Sequence, residues 1–146
     1  MPFDCTHHDP QKPSSVLRAT RALIQSGWTK HHLWDDRDGY RKYCLVGAYR
    51  QACFGADQIC FGTDPGFTKS ARGVDNFYST MLRRSMPWPR RWNFWSSNTQ
   101  VLINYNDSPR RTKQDVIALI DGAIRRVEDW ESLRLLQATN SGHHAS

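Results

Sequence analysis

Thr112 stands three residues before Asp115, and Val116, Leu119, Ile120, Ala123, Ile124 and Val127 follow at a period near 3.6. The first pair has the spacing of a capping box, in which a hydroxyl and a carboxylate each take a backbone N–H that the first helical turn leaves without a partner. The second set lays one apolar stripe along a helix. A stripe of that length needs other elements to cover it, so the chain is predicted to fold as helices packed round this one. Trp130, Leu133 and Leu136 extend the apolar pattern and offer a surface for a homodimer, while residues 138–146 are expected to form a flexible tail.

The other segments fit that plan. Pro2, Pro10 and Pro13 mark residues 1–13 as a flexible arm. Ser14 or Ser15 caps a helix over Val16 to Ser26, with Val16, Leu17, Thr20, Leu23 and Ile24 on one face. Gly27 closes it in a left-handed C′ position, and Trp28 turns back to bury its indole against the same helix. Asp38-Gly39 is a turn signal between Leu33-Trp34 and Tyr40 to Tyr43, which predicts a short hairpin. Cys44 to Phe54 reads as a helix ended by Gly55, with Gly47-Ala48 admitting a neighbouring helix at close range. Residues 61–73 read as loop, and a helix from about Val74 to Arg84 puts Phe77, Tyr78, Met81 and Leu82 on its buried side before Pro87 and Pro89 stop it. Val101-Leu102-Ile103 reads as a strand or an extended link. The expected fold class is mainly α: a single-domain bundle of about four helices over residues 14–137, with one short hairpin or small sheet. A chain of 146 residues suits one such core.

Composition excludes several classes. Mean hydropathy is low, −0.70, but 12% aromatic residues argue against long disorder. No apolar run approaches the ~18 residues of a membrane span, and Met1-Pro2-Phe3-Asp4-Cys5 lacks the features of a signal peptide, so a cytoplasmic protein without a membrane partner is expected. Cys5, Cys44, Cys53 and Cys60 are spaced unlike any zinc framework and are expected as free thiols, Cys44 and Cys53 within the core. The net charge of +6 is uneven: residues 1–40 and 101–146 each sum to zero, residues 41–70 give +2 and residues 71–100 give +4. The excess is almost all arginine, which forks to carboxylates and phosphates and stacks on aromatic rings.

A pattern of short motifs runs through both flanks of that basic stretch. Gly27-Trp28-Thr29, Asp38-Gly39, Cys44-Leu45-x-Gly47-Ala48, Tyr105-Asn106-Asp107 and Arg111-Thr112-x-x-Asp115-Val116 come in order. Together they resemble an uncharacterised domain family of actinobacteria and their bacteriophages, with G-W-T, C-L-x-G-A, W-N-D and R-T-x-x-[DE]-V as its usual pattern. The resemblance covers roughly residues 15–56 and 101–128. Tyr105 stands where the family has Trp, and residues 57–100 form a divergent, Arg/Trp-rich insertion. The resemblance implies a small helical cytoplasmic protein, phage-borne in some hosts, and brings no activity, cofactor or catalytic residue with it.

The insertion carries most of the chemistry. In Arg83-Arg84-Ser85-Met86-Pro87-Trp88-Pro89-Arg90-Arg91-Trp92-Asn93-Phe94-Trp95, four arginines interleave with three Trp and one Phe. Trp and Arg dominate protein interfaces, the same pair of residue types binds single-stranded nucleic acid, and both can instead cover a core as cation–π lids. The reading adopted is a non-enzymatic binding protein that contacts a host protein through Arg83, Arg84, Trp88, Arg90, Arg91 and Trp92, with nucleic acid as the alternative partner. A third reading is a small-ligand or hydrolytic site around His31, His32, Asp35, Asp36 and Asp107. It has no nucleophile motif to complete it. Asn106 and Asp107 are expected to cap a turn through their own backbone. A calcium loop with Gly39 at its sixth position would start at Trp34 and end at Leu45, which excludes it. Cys5 with His7-His8, and His31-His32, could together supply soft metal ligands, but the first set lies on the arm and adjacent histidines rarely both face one ion, so neither metal nor cofactor is expected.

Overall fold

The computed structural model describes residues 12–55, 69–87 and 95–143. Five helices and one hairpin occupy them: α1 Pro13–Ser26, β1 Trp34–Asp35, β2 Lys42–Tyr43, α2 Leu45–Phe54, α3 Lys69–Arg84, α4 Asn98–Asp107 and α5 Lys113–His143. The mainly helical fold with a small antiparallel sheet is the one expected. The capping box at the head of α5 forms as the spacing requires, with Thr112 N–H on Asp115 Oδ2 at 3.0 Å and Asp115 N–H on Thr112 Oγ1 at 3.2 Å. Its stripe is the spine of the core: Val116, Ile120, Ala123 and Val127 are fully buried, facing Leu17 and Ile24 of α1, Leu82 of α3 and Leu102 of α4. α1 packs on both α5 and α2.

Several local expectations are corrected. Val101-Leu102-Ile103 is neither strand nor link but part of α4. Ser97 caps that helix by accepting from Gln100 N–H, and Val101, Leu102 and Tyr105 fall on one buried face. This is the fifth helix that a three-residue apolar run concealed. α1 starts one turn earlier than expected, at Pro13, with no side-chain cap; Ser14 is buried and turned to α5 instead. Gly27 is extended (φ −177°), not left-handed. It is glycine for space, since a Cβ there would meet Tyr40 Cε2 at 3.0 Å and Arg41 O at 3.1 Å. α3 begins at Lys69, five residues ahead of the expected start, and α5 runs on to His143, past the boundary expected at residue 137.

The hairpin forms where Asp38-Gly39 signals it. Trp34 pairs with Tyr43 and Asp35 with Lys42, and Gly39 takes the positive φ of 84° that the turn requires. Three ion pairs, Asp35–Arg37, Asp36–Arg41 and Asp38–Lys42, lace its outside. Among the described residues no helix is long and apolar enough to cross a membrane.

Candidate functional site

The sequence motifs of the two flanks, Asp38-Gly39 at the hairpin turn apart, converge at the end of the bundle where α4 stops and α5 starts. Asn106, in the last turn of α4, is fully buried and its amide is saturated. Its oxygen accepts from Trp28 Nε1 at 2.7 Å and from Leu45 N–H at 3.1 Å, while its nitrogen donates to Thr29 O and Asp107 Oδ1, both at 3.0 Å. One side chain therefore joins the turn after α1, the first residue of α2 and the end of α4. Asp107 continues the join by accepting the His31 N–H at 2.9 Å, and Lys30 donates to Ser108 O at 2.7 Å. His31 is held at φ 68°, the one non-glycine residue with positive φ among the described residues. Asn106 and Asp107 thus do not cap their own turn, as expected, but pin segments more than 60 residues away in sequence.

The rest of the pattern serves the same junction. Cys44 caps α2, its sulfur accepting from Gly47 N–H at 3.3 Å, and burial pushes its thiol up to about 11, which removes it as a nucleophile at neutral pH. A Cβ at Gly47 would overlap the Leu33 carbonyl oxygen and lie 2.8 Å from its carbon. The close neighbour is therefore the backbone leading into the hairpin, not a second helix as expected. Arg111 stacks on the Tyr105 ring at 3.6 Å and donates to Tyr105 O at 2.9 Å, carrying the chain round into α5. Trp28 sends its indole nitrogen to Asn106 of α4, a partner that the expectation of an α1 contact missed.

The polar residues singled out for a hydrolytic site are mostly engaged elsewhere. His31 Nδ1 lies 3.7 Å from Asp107 Oδ2, so that pair does meet. Asp35 instead holds Arg37 through both carboxylate oxygens, and Arg37 keeps its carboxyl far below the ordinary carboxylate range. Asp36 is lowered likewise by Arg41. Among the described residues no three His, Cys, Asp or Glu side chains gather into a metal-binding group. An open groove of about 760 Å³ runs between α1 and α5, but its charges face one another across it: Arg18 pairs with Glu128, and Arg21 with Asp121 at 2.7 Å.

The basic-aromatic stretch is described only at its two ends, since Trp88, Arg90, Arg91 and Trp92 lie outside the described residues. At the α3 end Arg83 is half-buried and donates to Ser96 O at 3.1 Å and to Asn98 Oδ1 at 3.0 Å. Asn98 in turn donates to Thr80 Oγ1 at 3.0 Å. This seam ties α3 to the head of α4. Arg84 beside it is exposed, and Trp95, next to the anchored Ser96, is 93% exposed. Arg83 is accordingly a bracket within the fold as much as a surface residue, and Trp95 is the exposed ring that the list of expected contact residues omitted.

No curated protein and no solved structure matches this chain. Over residues 8–126, however, the chain belongs to the family of unknown function DUF6197.

Proposed function

We propose that the protein is a non-enzymatic binding protein that contacts a host protein through the surface around Arg84 and Trp95. In keeping with the family resemblance, it would act in the cytoplasm as a phage-borne accessory factor. The observation that carries this reading is the 93% exposure of Trp95, a residue type that chains bury whenever a core is within reach. Its place supports the reading. Trp95 precedes Ser96, whose carbonyl Arg83 holds, so the indole is presented from an anchored point and loses little freedom on binding. Trp and Arg are the residue types that contribute most at protein interfaces. Arg83 is spent on Ser96 and Asn98, which leaves fewer cations for phosphates and favours a protein over a nucleic acid.

The test is a pull-down of the tagged protein from host lysate, with and without nuclease, run beside Trp95→Ala and Arg84→Glu. A protein partner that survives nuclease and is lost in both variants, with stability changed by less than about 0.5 kcal/mol, is the expected result. Capture that collapses on nuclease treatment and falls steeply between ~50 and 200 mM salt would transfer the surface to nucleic acid. Equal capture by the native protein and Trp95→Ala would remove the surface from consideration.

A further inference from the structure

We infer that the partner met at the end of α3 is acidic: a carboxylate-rich protein segment that lies on Arg84, Arg125 and Arg126. The inference rests on the protein contact proposed above and names its chemistry. α3 reaches α5 at a point made of two small residues. A Cβ at Gly122 would stand 3.5 Å from Ser85 Cβ and 3.8 Å from Arg125 Nη2, so the Arg125 guanidinium turns back to the place where the helices touch. Arg84 precedes Ser85 as the last residue of α3. Arg126 follows Gly122 by four residues and therefore stands on the same face of α5. All three arginines are exposed. Arg83 binds Ser96 O from the same last turn of α3, which brings the exposed Trp95 to this helix end as well.

The fold leaves these arginines nothing to hold. Within a helix, a carboxylate four residues before an arginine or three after it is the ordinary partner. Arg125 has both, in Asp121 and Glu128, yet α1 takes them: Arg21 binds Asp121 at 2.7 Å, and Arg18 binds Glu128. Arg125 lines the groove beside those two pairs and has no ion pair among the described residues. Arg84 and Arg126 have none there either. The hairpin behaves differently, since Arg37, Arg41 and Lys42 are all matched by its own aspartates. Against the three cations at the end of α3 stands the exposed Asp129, one turn beyond Arg125 and Arg126.

Charge selects the occupant. A guanidinium grips a carboxylate with two parallel hydrogen bonds, and a patch with surplus cations draws a surface of the opposite sign. At physiological salt, charges more than ~8 Å apart are largely screened, so the patch acts through its own arginines rather than through the net charge of the chain. A phosphate chain would be drawn too, but its uniform negative charge must pass Asp129. A protein segment can set a lysine or a backbone N–H against that carboxylate while its own carboxylates take the arginines.

Fluorescence anisotropy tests this with two labelled probes of equal charge at ~100 mM salt, a short peptide of alternating glutamate and serine and an oligothymidylate. The peptide is expected to bind the native chain with a Kd of ~10–100 μM. Arg125→Gln with Arg126→Gln should weaken it about tenfold, and both positions are exposed, so that variant should melt as the native protein does. Arg72→Gln with Arg110→Gln removes the same charge from exposed arginines elsewhere and should change the affinity less than about twofold. Equal weakening in the two double variants would reduce the effect to net charge and overturn the inference. Tighter binding of the oligothymidylate through Arg125 and Arg126 would overturn it in favour of nucleic acid, and no peptide binding below ~1 mM would overturn it outright. The peptide offers no apolar pocket, so Trp95→Ala should not alter its affinity. Loss of the Trp95 contact in the pull-down and loss of the arginine effect here are therefore separate failures.

Discussion

At the Lys113 end of α5 a fully buried amide, Asn106, has a partner for each of its polar atoms, whereas at the His143 end three leucines stand in water. The leucines lie roughly 30–35 Å along the helix from its first residue. Each end reverses the usual placement of its residue type, and the reversals differ in meaning. A buried polar group is tolerated when every donor and acceptor is met, and it then fixes which segments meet. An exposed apolar group gains nothing within the chain and points outward. Most of the motifs that carry the resemblance lie at the first end, where they hold the fold. The exposed apolar side chains, Trp95 and the leucines of α5, lie away from that junction.

Gly47→Ala breaks the comparison most severely. Its Cβ would overlap a backbone carbonyl that cannot swing aside, because Leu33 O also accepts the Cys44 N–H at 3.1 Å. A loss of more than about 4 kcal/mol is expected, enough to leave the chain largely unfolded at 37 °C. Urea unfolding followed by circular dichroism reads it. A midpoint near that of the native protein would mean that the hairpin does not close on α2 as described.

Asn106→Asp comes next, because it changes one group and almost no volume. The new oxygen replaces the donor that faces Thr29 O and Asp107 Oδ1, so two hydrogen bonds become repulsions while Trp28 and Leu45 keep their acceptor. About 3 kcal/mol should be lost, lowering Tm by roughly 10 °C. Leu136→Ser at the other end should change the melting of the dilute protein by less than about 0.5 kcal/mol. Similar losses at both sites would show that the leucines are part of the core after all.

These contrasts also explain what the sequence made legible. Periodicity reveals which side of a helix is apolar, so the α5 stripe, the capping box and the Asp38-Gly39 hairpin could be read directly. Periodicity does not reveal where a neighbouring helix ends. Leu133 and Leu136 therefore read as an extension of the stripe with a surplus of apolar surface, and the sequence does not show that the cover given by α1 ends at Glu131 and that Arg134 takes the next core position. α4 was hidden for a related reason: three apolar residues carry no period, and only Ser97 before Asn98 hinted at a helix start. The Asn106 junction was out of reach because its partners lie 61 to 78 residues away. Asn106 and Asp107 could be recognised as capping residue types, but spacing along the chain does not say which backbone they cap. Of the expected interface, Arg83 could be singled out by charge, but its use as an internal bracket depends on Ser96 and Asn98, 13 and 15 residues further along the chain.

The smallest effect lies at the head of α5, where the junction hands over to the stripe. Hydrogen bonds to the carboxylate from the Thr112 backbone N–H and then its side chain hold the Asp115 carboxyl below its ordinary range. A carboxyl lowered by folding stabilises the native state above its unfolded pKa of about 3.9, and that contribution disappears as pH falls through the lower folded value. Thr112→Ala is therefore expected to cost about 1 kcal/mol at pH 7, the usual worth of an N-cap. Asp115→Asn should cost somewhat less at pH 7 and almost nothing near pH 2, because acid removes from the native protein the same charge that the substitution removes. Urea midpoints of the native protein and Asp115→Asn at the two pH values isolate this from every other carboxylate, since only the difference between the chains counts. A gap that stays constant with pH would mean that Asp115 acts through its shape and not its charge. The head of α5 would then depend on the buried Asn106 junction alone.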